Sequence, residues 1–145
     1  MNRGPLVRLE VKPAYPLTRR EYVFVLQRLL EFLGLSGREV ELSVTDDSRI
    51  ARLNERFMKV CGPTNVLSFP GHEETFGGDS FLGSVCLSAD AVRRESLLYG
   101  QDPCEHAVFL LAHAVLHLAG YDHGPSMEDL TEEATAHVLR EFDQT

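Results

Sequence analysis

"HAVLHLAGYDH", residues 113–123, places three histidines in eleven residues of an otherwise apolar stretch, spaced H-x3-H-x2-G-x2-H. Side chains four residues apart on a helix share a face, with Cβ atoms about 5–6 Å apart. His113 and His117 can therefore each aim a ring nitrogen at one ion about 2.0–2.1 Å away. Gly120 tolerates the left-handed conformation that ends a helix, and the short return after it can bring His123 back as a third ligand. Three imidazoles suit one zinc ion per chain and leave its fourth position open, as catalytic rather than sealed structural sites do. An i,i+4 histidine pair alone is weak evidence, because such residues usually serve packing or face solvent. Here, however, the helix is apolar nearly all round (Val108, Phe109, Leu110, Leu111, Val115, Leu116, Leu118) and is expected to be central. Imidazoles buried there without partners would be costly, so the triplet is read as a metal site.

The other histidines fit less well. His106 shares the face of His113 but lies two turns off, roughly 10 Å along the axis, so a cap or surface role is expected. His72 falls in a glycine-rich loop, and His137 is expected on the exposed side of the last helix.

Outward from this stretch, the chain alternates strand and helix signals. "LVRLEV" (6–11), "VELSVT" (40–45), "NVLSFP" (65–70) and "FLGSVCLS" (81–88) read as four strands. Thr18 and Glu21 are placed as a capping box for a helix that stops at Gly34. Asp46 or Asp47 caps a second helix through "SRIARLNERFM". Residues 89–99 form a third helix. Asp102, Pro103 and Glu105 open the histidine helix as N-cap, N1 and N3, and residues 126–142 form the last. Glycines 71, 77 and 78 make "GHEETFGGDS" a loop. Two crossovers are too short for regular βαβ units. The expectation is one α/β (α+β) domain over residues 1–145, a mixed sheet of about four strands with about five helices.

Composition sets the limits. With 43% hydrophobic and 25% charged residues in 145, the chain can bury a real core and is not disordered. A net charge of -8 argues against a general nucleic-acid binder but leaves room for a local basic patch. Cys61, Cys86 and Cys104 form no C-x-x-C pair and no disulfide framework, which suits a reducing cytoplasm. No signal-peptide core and no run of membrane-spanning length are expected.

The histidine spacing matches the zinc pattern of metzincin proteases, except that Ala114 stands where their glutamate acts as general base. Alanine cannot take a proton. Zinc alone lowers the pKa of a bound water to about 7 and can polarise a phosphoryl oxygen. In RNA the substrate's own 2′-hydroxyl can also attack, so the missing carboxylate weakens a peptidase and leaves RNA cleavage chemically sensible.

At these residues the chain resembles the YbeY family, zinc-dependent endoribonucleases of ribosomal RNA maturation. "HAVLHLAGYDH" is similar to the family's H-G-x-L-H-L-x-G-Y-D-H. "PTNVLSFP" (63–70) is similar to its T-[DN]-V-L-S-F-P, and "LGSVCLS" (82–88) to its L-G-D-I-x-I-S. The likeness runs from roughly residue 40 to the end. It implies a zincin-like fold, zinc held by His113, His117 and His123, and single-strand-specific cleavage in ribosomal RNA processing and ribosome quality control. The implied partners are ribosomal RNA and the ribosomal subunit or its proteins, with no membrane. Three positions depart from the pattern: Ala114 for glycine, Ser84 for aspartate, and Met58 for an arginine six residues before Thr64. If that arginine binds the scissile phosphate, another cation must replace it or activity is weaker.

Arg49, Arg52, Arg56 and Lys59 fall at i, i+3, i+7 and i+10 of the second helix, within an arc of about 80°. Ile50, Leu53, Phe57 and Val60 occupy the neighbouring arc and read as its buried face. The basic stripe reads equally as an RNA-backbone contact or as a solvated face. Asp122 either orients a ligand imidazole or caps the turn. A non-catalytic, zinc-containing ribosome-assembly factor is the alternative to the nuclease, and a metallopeptidase comes third.

Overall fold

The computed structural model describes residues 4–71 and 80–143. Four strands, β1 (Leu6–Leu9), β2 (Glu39–Thr45), β3 (Val66–Pro70) and β4 (Phe81–Ser88), form one sheet in the order β1-β2-β4-β3. β1 and β4 flank β2 in parallel, and β3 runs antiparallel to β4. Five α-helices accompany them: α1 (Arg19–Phe32), α2 (Asp47–Leu53), α3 (Ala89–Tyr99), α4 (Pro103–Leu118) and α5 (Pro125–Asp143). This is the mixed sheet with five helices expected from the sequence. Most of the glycine-rich loop, His72 included, lies outside the described residues.

Local chemistry starts the helices where the sequence places them. Thr18 and Glu21 close the capping box of α1. Asp46 accepts from the Arg49 amide at 2.9 Å and is the cap of α2. Asp102 accepts from the Cys104 and Glu105 amides at 2.8 and 3.2 Å, ahead of Pro103. Ser88 caps α3 and also donates to Asp47 Oδ1 at 2.9 Å, which ties the starts of α2 and α3 together. Arg94, bonded to the same carboxylate at 2.8 Å, holds the Asp47 pKa below its ordinary value.

The second helix departs from expectation. Its α-helical part ends at Leu53, and Asn54–Met58 form a π-helical turn closed by Lys59 in the left-handed conformation, φ 59°. The wider turn breaks the 100° periodicity, so the four basic residues do not continue along one helical stripe. The expected apolar face holds through Ile50 and Leu53 and is lost from this turn onward. Ile50 is fully buried, whereas Phe57 and Val60 are 54% and 53% exposed. Asn54 turns inward instead, donating to the Gly62 carbonyl at 3.0 Å.

The main core lies between one face of the sheet (Val40, Leu42, Val44, Val85, Leu87) and helices α1 and α4. A smaller cluster of Ile50, Leu67 and Cys86 holds α2 on the other face. α4 packs against β3, β4, α1, α3 and α5, which makes it the central helix of the fold. Its C-terminal end approaches the sheet closely at Gly83, φ +151°. A Cβ there would stand 2.5 Å from the Phe69 carbonyl oxygen and 2.7 Å from Leu118 Cδ2. Gly83→Ala is therefore expected to lower stability by about 1–3 kcal/mol through overpacking and backbone strain. Chemical denaturation measures this; an unchanged midpoint at unchanged slope would contradict the close approach.

Candidate metal centre and its cleft

His113 and His117 occupy the last two turns of α4, half-buried, and His123 follows on the exposed segment before α5. After Ala119, Gly120 takes φ +99°, and the Tyr121 amide reaches back to the Leu116 carbonyl at 3.1 Å. This tight reversal is what turns His123 toward the helix. The ring centroids lie 4.6 Å (His113–His117), 4.6 Å (His117–His123) and 5.6 Å (His113–His123) apart. One ligand nitrogen from each ring lies within 4.8 Å of the others, and Nε2 of His113 and His117 are 3.2 Å apart. Tetrahedral ligands at 2.0–2.1 Å from a common ion stand about 3.3 Å from one another. The set can hold a metal.

Electrostatics favour the same role. Burial, then the neighbouring imidazoles, lowers the proton affinity of His113. Burial and His123 lower that of His117, partly opposed by its bond to Tyr121 and by the Asp122 charge. Depressed pKa values keep ring lone pairs free for a cation. Asp122 itself is exposed and acts on His117 through charge.

The triad lies in a cleft of about 770 Å³ between β3 and helices α4 and α5. Thr64–Ser68 line one wall with Met58, and Glu128, Thr131 and Glu132 line the other; Phe109, Leu110 and Ala114 belong to α4. Ala114 is buried between the two helical histidines, so no carboxylate of α4 enters at that point. Among the described lining residues there is no lysine or arginine. Sequence reading missed Glu128, Thr131 and Glu132. Their i, i+3, i+4 spacing places them on one face of α5, but only the docking of α5 shows which way that face looks.

The basic residues take separate positions. Arg49 pairs with Glu10 at 3.0 Å, and Arg52 lies 3.4 Å from the Ser48 hydroxyl. Arg56 stacks over the Phe57 ring at 5.2 Å, and Lys59 follows Met58 at the left-handed turn. His106 is neither a cap nor a surface residue: it is 7% exposed and bonded to Glu95 Oε1 at 2.7 Å. No sequence signal indicates that α3 delivers a carboxylate there. His137 is half-buried rather than exposed, 3.0 Å from Glu141 and packed against Phe32. Ser84 sits opposite Glu41 in the β2–β4 register and donates to it at 3.4 Å. An aspartate at 84 would set two carboxylates against each other.

Fold and site together define an α/β protein with an open three-histidine centre in a cleft. A family model described as Endoribonuclease YbeY matches residues 15–142, and the chain belongs to that family, whose members are hydrolases acting on RNA. An Endoribonuclease YbeY of Oleidesulfovibrio alaskensis is 46% identical, with 81% of each chain covered. That of Nitratidesulfovibrio vulgaris is 43% identical, with 86% of each covered. The solution structure of TM1509 from Thermotoga maritima has a TM-score of 0.66 over 96% of this chain and 93% of the other, at 21% identity. At that identity the likeness concerns the fold.

The lowered proton affinities of His113 and His117 predict how metal binding responds to pH. Protons compete with a metal for imidazole only below the folded pKa. Affinity for cobalt(II), followed by its visible absorption, is expected to weaken as pH falls, with proton competition at His113 and His117 setting in below the ordinary histidine range near about 6.5. A decline beginning well above that range would contradict the assignment.

Proposed function

We propose that this chain is a cytoplasmic, zinc-dependent endoribonuclease that cuts single-stranded RNA in ribosomal RNA maturation and ribosome quality control. The observation that carries this reading is the convergence of His113, His117 and His123 in an open cleft, with Ala114 in place of a general base. Family membership supports RNA as the substrate. Three nitrogen donors and a solvent-facing side suit zinc with a fourth position left to solvent or substrate. Bound there, zinc would supply Lewis acidity toward a phosphoryl oxygen and make a water molecule more acidic.

The chain's own residues have distinct tasks in this reading. His113 and His117, fixed by the rigid α4, set the position of the ion, and His123 completes the set. Asp122 sustains the basicity of His117 against burial. Arg56 and Lys59 border Met58, which lines the cleft, and with Arg52 and the Glu10-paired Arg49 they are the proposed contacts to RNA phosphates. Three unpaired cysteines suit a reducing compartment, and among the described residues no helix is long and apolar enough to cross a membrane. Met58, together with Glu128 and Glu132 in the cleft, favours a second reading: an assembly factor that keeps the metal for folding and binds the ribosomal subunit without cutting RNA.

Purified protein is expected to carry about one zinc per chain and to cut single-stranded RNA but not unstructured peptides. Chelators and His117→Ala should abolish both zinc content and cleavage. Zinc-loaded protein that leaves RNA intact would favour the assembly factor, and chelator-sensitive peptide hydrolysis with intact RNA would favour a peptidase.

Neutralising Arg56 and Lys59 together should make the dependence of log affinity on log salt shallower, by about 0.7 for each phosphate no longer neutralised. Affinity for unrelated RNA sequences should fall alike, because phosphate contacts carry no base information. Identical slopes for wild type and variant would show that these cations only face solvent.

A further inference from the structure

Behind the cleft wall lies a polar network that metal binding does not use. His106, nearly buried on α4, bonds through Nε2 to Glu95 Oε1 of α3 at 2.7 Å. Its Nδ1 is buried without a hydrogen-bond partner. A carboxylate only accepts, so Nε2 carries the hydrogen; a bare lone pair at Nδ1 then costs less than a stranded N–H. Asn65 Nδ2 lies 3.3 Å from each oxygen of the same carboxylate. The Asn65 carbonyl accepts from the Ser88 amide at 2.9 Å, which fixes its backbone to the end of β4.

This arrangement decides the orientation of the Asn65 amide. Its NH2 must face Glu95, so Oδ1 is turned away from the carboxylate. Asn65 also lines the cleft, on the wall formed by the start of β3. With Glu128 and Glu132 on the opposite wall and no lysine or arginine among the described lining residues, the cleft offers charged acceptors and no lysine or arginine donor, beside the Thr64 and Ser68 hydroxyls, which both donate and accept. Such a cleft selects a ligand that brings donors. RNA differs from DNA by one such group on every nucleotide, the ribose 2′-hydroxyl.

We propose that Asn65 is a specificity residue whose Oδ1 accepts a hydrogen bond from a ribose 2′-hydroxyl, and that Glu95 and His106 are positioning residues that lock its amide in that orientation. The proposal rests on the RNA-cleaving reading of the cleft and says how that cleft tells RNA from DNA. His106 fixes the carboxylate, the carboxylate fixes the amide, and the amide offers an acceptor to the sugar. A neutral hydrogen bond of this kind corresponds to roughly three- to tenfold in affinity.

The test compares three oligonucleotides of one unstructured sequence: RNA, its 2′-fluoro counterpart, which lacks the donor, and DNA. Affinities for zinc-loaded protein are read by stopped-flow before cleavage proceeds. Wild type is expected to prefer RNA to the 2′-fluoro strand by roughly three- to tenfold. In Glu95→Gln the new amide can donate to Asn65 Oδ1 and turn the Asn65 NH2 outward, so this preference should vanish. The double variant Glu95→Gln with Asn65→Asp should restore it. The amide introduced at position 95 then holds one carboxylate oxygen of residue 65 while the other remains an acceptor.

A purely structural role would lower affinity for all three strands in proportion and leave the ratio unchanged, which would overturn the proposal. A preference that follows replacement of guanosine by inosine, rather than the 2′ substitution, would move the contact to a base amino group and overturn it too. Wild type that neither binds nor cuts any of the strands would instead remove the RNA reading itself. Intact RNA binding with an unaltered ratio in Glu95→Gln would remove only the role given to Asn65.

Discussion

Helix α4 is packed against two strands and three helices, yet two of its imidazoles must remain reachable from solvent. That constraint organises the molecule. Burial on most sides makes the helix rigid, since close-packed interiors resist displacement. Its last turns open toward the cleft, where His113 and His117 are half-buried. Partial burial also lowers their proton affinity and leaves them able to bind a cation. The close approach at Gly83 and the reversal at Gly120 are the two backbone conditions that complete the arrangement.

The cleft around this centre differs from a simple phosphate groove. Positive charge lies outside it, on the segment that carries Arg56 and Lys59, while Glu128 and Glu132 line its inner wall. Fixed carboxylates in the cleft disfavour the approach of a polyanion, so in the proposed reading an ion held by the histidines would supply the local attraction. In that reading, steering by the outer cations and retention by a metal at the three histidines would be separate functions of separate residues. Met58 sharpens that division in this chain. It adds apolar surface to the wall it lines and brings no charge.

Much of this was legible in the sequence because it depends on short-range rules. The capping signals of α1, α2 and α4, the strand patterns and the H-x3-H-x2-G-x2-H spacing each concern residues within about one helical turn or one short return. What escaped depends on tertiary placement. Helical periodicity over residues 49–60 assumed a continuous α-helix. A π turn over Asn54–Met58 breaks it, and there Asn54 donates to the Gly62 carbonyl, a bond that only the folded loop creates. His106 looked like a surface residue since its partner, Glu95, comes from another helix. The facing of Glu128 and Glu132 toward the histidines likewise follows from how α5 docks on α4. Strand order could not be read either, because β3 pairs with β4 at the sheet edge while β4 inserts beside β2.

The central claim is an open metal centre made of three imidazoles and no other protein ligand. X-ray absorption at the zinc edge of the purified protein tests it most directly. The account predicts three imidazole nitrogens and one further light-atom ligand from solvent, all near about 2.0–2.1 Å. A sulfur ligand at about 2.3 Å, or a coordination shell without imidazole scattering, would contradict it.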